Sequence, residues 1–120
     1  MSSLRFLLDE DVNQDLIPAL RSAEPAMDVL VVGQPGVPPK GTRDPGLLLA
    51  AETLGRTLIS GARSTMTDHM KAHCDAGHHN CGVILLRGGF PLARYVAEIH
   101  LIWYVETPAE WLDRTDYIPY

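Results

Sequence analysis

RFLLDEDV, residues 5–12, sets an apolar run from Phe6 to Leu8 directly against three consecutive acids, Asp9-Glu10-Asp11. An apolar run without polar alternation suits a strand covered on both faces, which is how strands of a parallel sheet read. Leu4–Leu8 therefore predicts a buried strand that ends in charge. The signature returns at Asp28–Val32 (DVLVV, ended by Gly33), at Arg56–Ser60 and at Gly82–Leu86 (GVILL). Tyr117–Pro119 adds an expected edge strand.

Helical patterns separate these runs. Asn13 or Asp15 can cap a first helix carrying Leu16, Leu20 and Ala23, with Pro18 tolerated only in its first turn. Residues 33–43, with three Pro and three Gly, form a stiff loop. Asp44-Pro45 then reads as cap and first helical position, and Gly55 as the C-terminal left-handed residue. Thr65 with Asp68 resembles a capping box for a helix reaching about Asp75 and closed by Gly77. A long helix follows from about Pro91 to Val105, with Leu92, Val96, Ile99 and Trp103 along one face, and Thr107 with Glu110 restarts a short one. Strands alternating with helices predict a three-layer α/β fold over residues 1–120. Its mainly parallel sheet of four to five strands is flanked by helices, with ligand chemistry at the strands' carboxyl ends.

Composition narrows the function. Ten Lys and Arg against fifteen Asp and Glu give a net charge of -5, the wrong balance for a protein that holds nucleic acid mainly by neutralising phosphates. Nothing approaches the length of a membrane span, no signal peptide precedes the first strand, and two cysteines make no disulfide scaffold, so a cytoplasmic, reduced protein without membrane contact is expected. Three adjacent acids raise one another's pKa in a crevice unless a cation lies between them, which makes DED (9–11) a metal candidate as well as an ordinary acidic turn. Asp44 is a second candidate acid, although helix capping alone accounts for it.

Four of the five histidines and both cysteines fall between His69 and Cys81. Thiolate and imidazole are zinc ligands, yet no CxxC, HExxH or finger spacing is present, and a polar turn with a small buried Cys explains the segment more simply. No phosphate-loop pattern and no nucleophile elbow occur. Trp103, Tyr104 and Trp111 are available as contacts for a second subunit, so a homodimer is open. A receiver domain would need a phospho-accepting Asp after a later strand and a late Lys. Gly33, Ala62 and Arg87 hold those kinds of places, and no Lys follows Lys71.

The chain resembles a PIN-like family of short bacterial proteins, found as nucleases of toxin–antitoxin pairs. The likeness runs in order through RFLLDEDV (5–12), the Pro/Gly loop, DPGLLLAAETLGRTLIS (44–60), RSTMTDHM (63–70), AGHHNCGVILLR (76–87) and the closing long helix. It implies a Mg²⁺- or Mn²⁺-dependent ribonuclease acting on single-stranded or structured RNA, with a cognate antitoxin as partner. In such enzymes the metals activate a water and stabilise charge on the phosphate. Carried onto this sequence, Asp9 becomes the anchoring metal ligand, Asp11 its neighbour and Asp44 the second acid. Arg63, Ser64 and Thr65 are expected at the same edge, at the start of a helix whose N–H groups and dipole favour a phosphate, which makes them the expected substrate contacts, with Lys71 and Arg87 behind them.

The chain departs from the family at one point. An acid is expected directly after the third strand, and Ala62 stands there. Three explanations compete: a silencing substitution, a natural loss, or a shifted register in which Asp68 supplies the charge. The match of the flanking residues favours an inactivating substitution. The alternative reading is a PIN-like module that binds RNA or an antitoxin without cutting.

Overall fold

The computed structural model of the chain describes residues 3–62 and 64–120. Among these residues, five strands and five helices follow one another as β1 (Arg5–Leu8), α1 (Leu16–Ala23), β2 (Asp28–Val31), α2 (Asp44–Leu54), β3 (Thr57–Gly61), α3 (Met66–Asp75), β4 (Val83–Leu86), α4 (Leu92–Val105), α5 (Pro108–Trp111) and β5 (Thr115–Ile118). The strands form one sheet in the order β2-β1-β3-β4-β5, and every pairing is parallel. The expected α/β architecture is therefore present, with β5 at the edge two residues earlier than Tyr117 suggested.

The unbroken apolar runs are explained by burial on both faces. Phe6, Leu8, Ile59 and Ile84 face one core with α1, α4 and Trp111, while Leu7, Leu58, Val83 and Leu85 face another with Leu47, Leu48, Met66 and Met70 of α2 and α3. Arg56 closes the amino end of the sheet. It is buried, and its Nη1 donates to the Phe6 carbonyl at 3.1 Å and to Asp28 Oδ1 at 2.9 Å, joining β1, β2 and β3 through one cation. A buried charge is tolerated only when paired in this way.

Several local readings change in the structure. Gly55 is left-handed as expected (φ 67°) and the Thr107–Glu110 capping box is formed. Thr65 makes no side-chain cap, because its own backbone is already helical (φ -78°, ψ -18°). Asp15 fails as a cap for the same reason, and Asn13 opens the turn instead by accepting from Asp15 N at 3.0 Å. Asp44 is itself the first helical residue, with Arg43 in the capping position. Trp111 is fully buried and unavailable to a second subunit: its indole donates to Glu106, the Arg114 guanidinium lies 4.2 Å over its ring, and it packs on Gly82. Tyr104 remains exposed.

Gly82 has φ +96°, and a Cβ there would meet the Trp111 carbonyl at 2.6 Å and the indole at 2.8 Å. Strain and overpacking add, so Gly82→Ala is expected to lower stability by about 2–4 kcal/mol in denaturant titration. At the other end of this region Tyr120 donates to Asp116 Oδ2 at 2.8 Å. Desolvation and that bond push the phenol up to about 12. A value raised on folding means a contribution intact below the ordinary pKa near 10 and lost as pH rises through 12. An absorbance titration of the folded chain should show a tyrosine step near pH 12 that Tyr120→Phe removes.

Candidate functional site

The strand order reverses between β1 and β3, since the chain leaves β1 for β2 on one side and continues β3-β4-β5 on the other. The crevice beyond the carboxyl ends at such a reversal is where open α/β sheets bind ligands. Asp9 stands there. Its N–H still pairs with the Ile59 carbonyl at 2.8 Å, so the residue is locked by the last rung of the ladder. Only 2% of it is exposed. Its Oδ2 accepts from the buried Ser60 hydroxyl at 2.9 Å and its Oδ1 from Glu10 N at 2.7 Å.

The neighbouring acids turn to opposite sides. Asp11 Oδ1 accepts from Gly61 N at 3.3 Å, and a Cβ at position 61 would come 2.9 Å from Asp11 Oδ2. Gly61 is therefore the residue that lets the acid turn lie against β3. Glu10 Oε1 accepts from Gly41 N at 2.6 Å and ties the turn to the loop before α2. Two clefts result. One, of about 490 Å³, is lined by Glu10, Gly41, Thr42, Arg43, Asp44 and His69. The other, of about 150 Å³, includes Asp11, Asn13, Gly61, Arg87, Gly88 and Tyr95. Asp44 and Asp11 thus face different clefts, and the buried Asp9 lines neither.

The other sequence-derived residues are distributed around this edge. Ala62 is exposed, and its N–H continues the ladder to the Leu86 carbonyl at 3.0 Å. Ser64 and Thr65 are exposed in the turn that opens α3, and Asp68 is exposed on its first turn. Lys71 pairs with Asp75 at 3.2 Å along the same helix, and the Arg87 guanidinium lies 5.1 Å over the Tyr117 ring. Arg63 lies outside the described residues. Carboxylate oxygens are the donors that Mg²⁺ and Mn²⁺ take. Among the described residues, however, Asp9, Asp11 and Asp44 do not bring three ligand atoms within 4.8 Å of one another. Ala62 adds no donor to that set.

A different set does converge. Glu52 Oε1 lies 3.1 Å from His73 Nε2 and 3.2 Å from His78 Nδ1, with all three ligand atoms inside 4.8 Å, an arrangement that could coordinate a metal ion. The end of α3 explains it. His78 N–H bonds the His73 carbonyl and Gly77 N–H the Cys74 carbonyl, with Gly77 at φ +89°: a Schellman turn. That turn brings the side chains of its third-last and second-following positions together, and here both are histidine, stacked with centroids 4.9 Å apart. Gly77 was legible as a helix stop. Glu52 was not, because it comes from α2 and no local spacing announces it.

The remaining members of the histidine–cysteine segment are used elsewhere. His79 Nδ1 is 2.7 Å from Asp113 Oδ2. The hydrogen bond to Asp113 holds the imidazole above its ordinary value, and the imidazole holds that carboxyl below its own. Burial first, then Asp113, raises the Cys74 thiol, and burial raises that of Cys81, which favours thiols over metal-binding thiolates. No helix among the described residues is long and apolar enough to cross a membrane. Comparison with family models, with curated proteins and with solved structures finds no match to the chain.

The Ser60–Asp9 bond involves a buried carboxylate, and hydrogen bonds to charged groups are worth about 1.5–3 kcal/mol. Ser60→Ala is expected to lower the unfolding free energy by that amount, read as a lower denaturant midpoint with the slope of the transition unchanged.

Proposed function

We propose that the chain is a PIN-like domain related to metal-dependent ribonucleases of toxin–antitoxin pairs, silent in RNA cleavage as it stands. The observation that supports this reading is the buried Asp9 carboxylate, fixed by Ser60 and by the β1–β3 ladder at the point where strand order reverses. An acid held so firmly at that position is suited to chemistry and is poorly explained as a solvated turn. Asp44 adds a second acid at the rim, on the first residue of α2.

Silence follows from Ala62. Nuclease chemistry of this kind needs several oxygens around a divalent ion, and a methyl group supplies none. The position itself can accept an acid, since Ala62 is exposed and only its backbone is used. Surface substitutions of this sort change stability by about 0.5 kcal/mol or less.

A second reading has an observation of its own. Glu10 is bonded to Gly41 N and Asp11 to Gly61 N, so both acids have partners within the chain. That arrangement suits a PIN-like module whose acidic crevice receives a basic segment of an antitoxin, or contacts RNA, without cutting.

The two readings separate in one assay. Ala62→Asp, supplied with Mn²⁺ or Mg²⁺, is expected to cleave single-stranded RNA in a reaction that EDTA abolishes and that Asp9→Asn in the same background removes. The unaltered chain should give no cleavage above background. Failure of Ala62→Asp with either ion, in a chain whose thermal unfolding is unchanged, overturns the nuclease reading and leaves the binding module.

A further inference from the structure

The structure assigns a second, independent site: we propose that Glu52, His73 and His78 bind a Zn²⁺-class divalent ion that clamps α2 to the end of α3. It lies at the other end of α2 from the acidic crevice. Asp44 and Glu52 are eight residues apart on that helix, about 12 Å along its axis.

Three observations carry the assignment. The first is the donor set. Two imidazole nitrogens and one carboxylate oxygen are the ligands of three-coordinate protein zinc sites that keep a fourth position open. Imidazole suits Zn²⁺, Ni²⁺ or Cu²⁺ and is a poor donor for Mg²⁺.

The second is geometry. Zinc–ligand bonds of about 2.0–2.1 Å in a tetrahedron place neighbouring ligand atoms roughly 3.3–3.4 Å apart. Glu52 Oε1 lies 3.1 Å from one nitrogen and 3.2 Å from the other. Yet this oxygen is buried and has no hydrogen-bond partner. Ligand atoms of a metal centre face the ion and not one another. Short separations without hydrogen-bond alignment are what such a centre produces, whereas a histidine–glutamate hydrogen bond would show the alignment.

The third is preorganisation. His73 is buried with 4% of its side chain exposed, and the Schellman turn at Gly77 fixes His78 against it. A ligating Nε2 carries no proton, so ligation places the His73 ring proton on Nδ1 and replaces the 3.3 Å contact of Nε2 with the His79 carbonyl. A cleft of about 250 Å³ lined by Leu49, His69, Ala72, His73, Ala76 and His78 lies beside the site and gives the ion a route in and room for a water as fourth ligand.

The test uses the full chain, stripped with chelator and titrated with ZnCl₂ by calorimetry and thermal unfolding. The expected result is saturable binding of one ion per chain with a rise in Tm, because an ion that binds only the folded state stabilises it. His78→Asn, at an exposed position, and Glu52→Gln should each weaken binding by more than the roughly 10–100-fold loss typical of outer-shell changes. Both should unfold normally without metal. His79→Asn and Asp9→Asn should bind as the parent does, which separates this site from the acidic crevice. Absence of Zn²⁺ binding overturns the proposal. So does binding that survives both ligand variants or is lost in His79→Asn.

Discussion

The carboxyl edge of this domain is organised by a single buried charge. β1 is the strand from which the chain departs in both directions, so it is paired on both sides and covered on both faces. The residue that follows it cannot reach water. That residue is Asp9, and its carboxylate has to be met by donors close at hand: the Ser60 hydroxyl and Glu10 N. From this follow the serine at the end of β3 and the tight turn of the acid triplet. The absence of a side chain at Gly61, which leaves room for Asp11, belongs to the same arrangement. A neutral residue at position 9 would release all three demands.

Much of the fold was legible because parallel strands leave a strong mark. Runs such as Phe6–Leu8 and Val83–Leu86 have no polar alternation, and only burial on both faces permits that. Gly55 and Gly77 marked helix ends because both need a left-handed backbone. Caps were less legible. Thr65 and Asp15 have the right chemistry, but helical conformation begins at or before them, and side-chain identity does not encode where the first turn starts. Trp111 misled for another reason. A large aromatic near the chain's end is compatible with an interface or a core, and the glycine that receives it lies twenty-nine positions earlier at Gly82.

The two clusters of ligand-type residues illustrate the same limit. The acid triplet is contiguous and could be seen at once, yet its members diverge: Asp9 inward, Glu10 to the α2 loop and Asp11 to β3. Adjacent residues alternate in direction as a strand ends, so sequence proximity works against convergence. Glu52, His73 and His78 show the reverse. They come from two elements and a turn, and they meet because α2 and α3 pack against the same face of the sheet. The histidine-rich segment was visible as unusual. What it was missing was the partner that only tertiary packing supplies.

The seating of Trp111 on Gly82 has a consequence for the order in which the molecule can form. The indole fills the core on the α1–α4 side, and β5 completes the sheet beside β4 only after it in the chain. Until residue 111 is available the pocket for the indole is empty, and until residue 118 follows β4 is an open edge with Val83 and Leu85 unpaired on one side. A chain emerging from the ribosome therefore cannot reach its stable state by adding domains or repeats one at a time. The β4–β5 pairing, which joins Val83 to Thr115, is the last to become available, and loop-closure entropy must be met before it repays that cost. The same segment that seals the core also sets the time at which the core can exist.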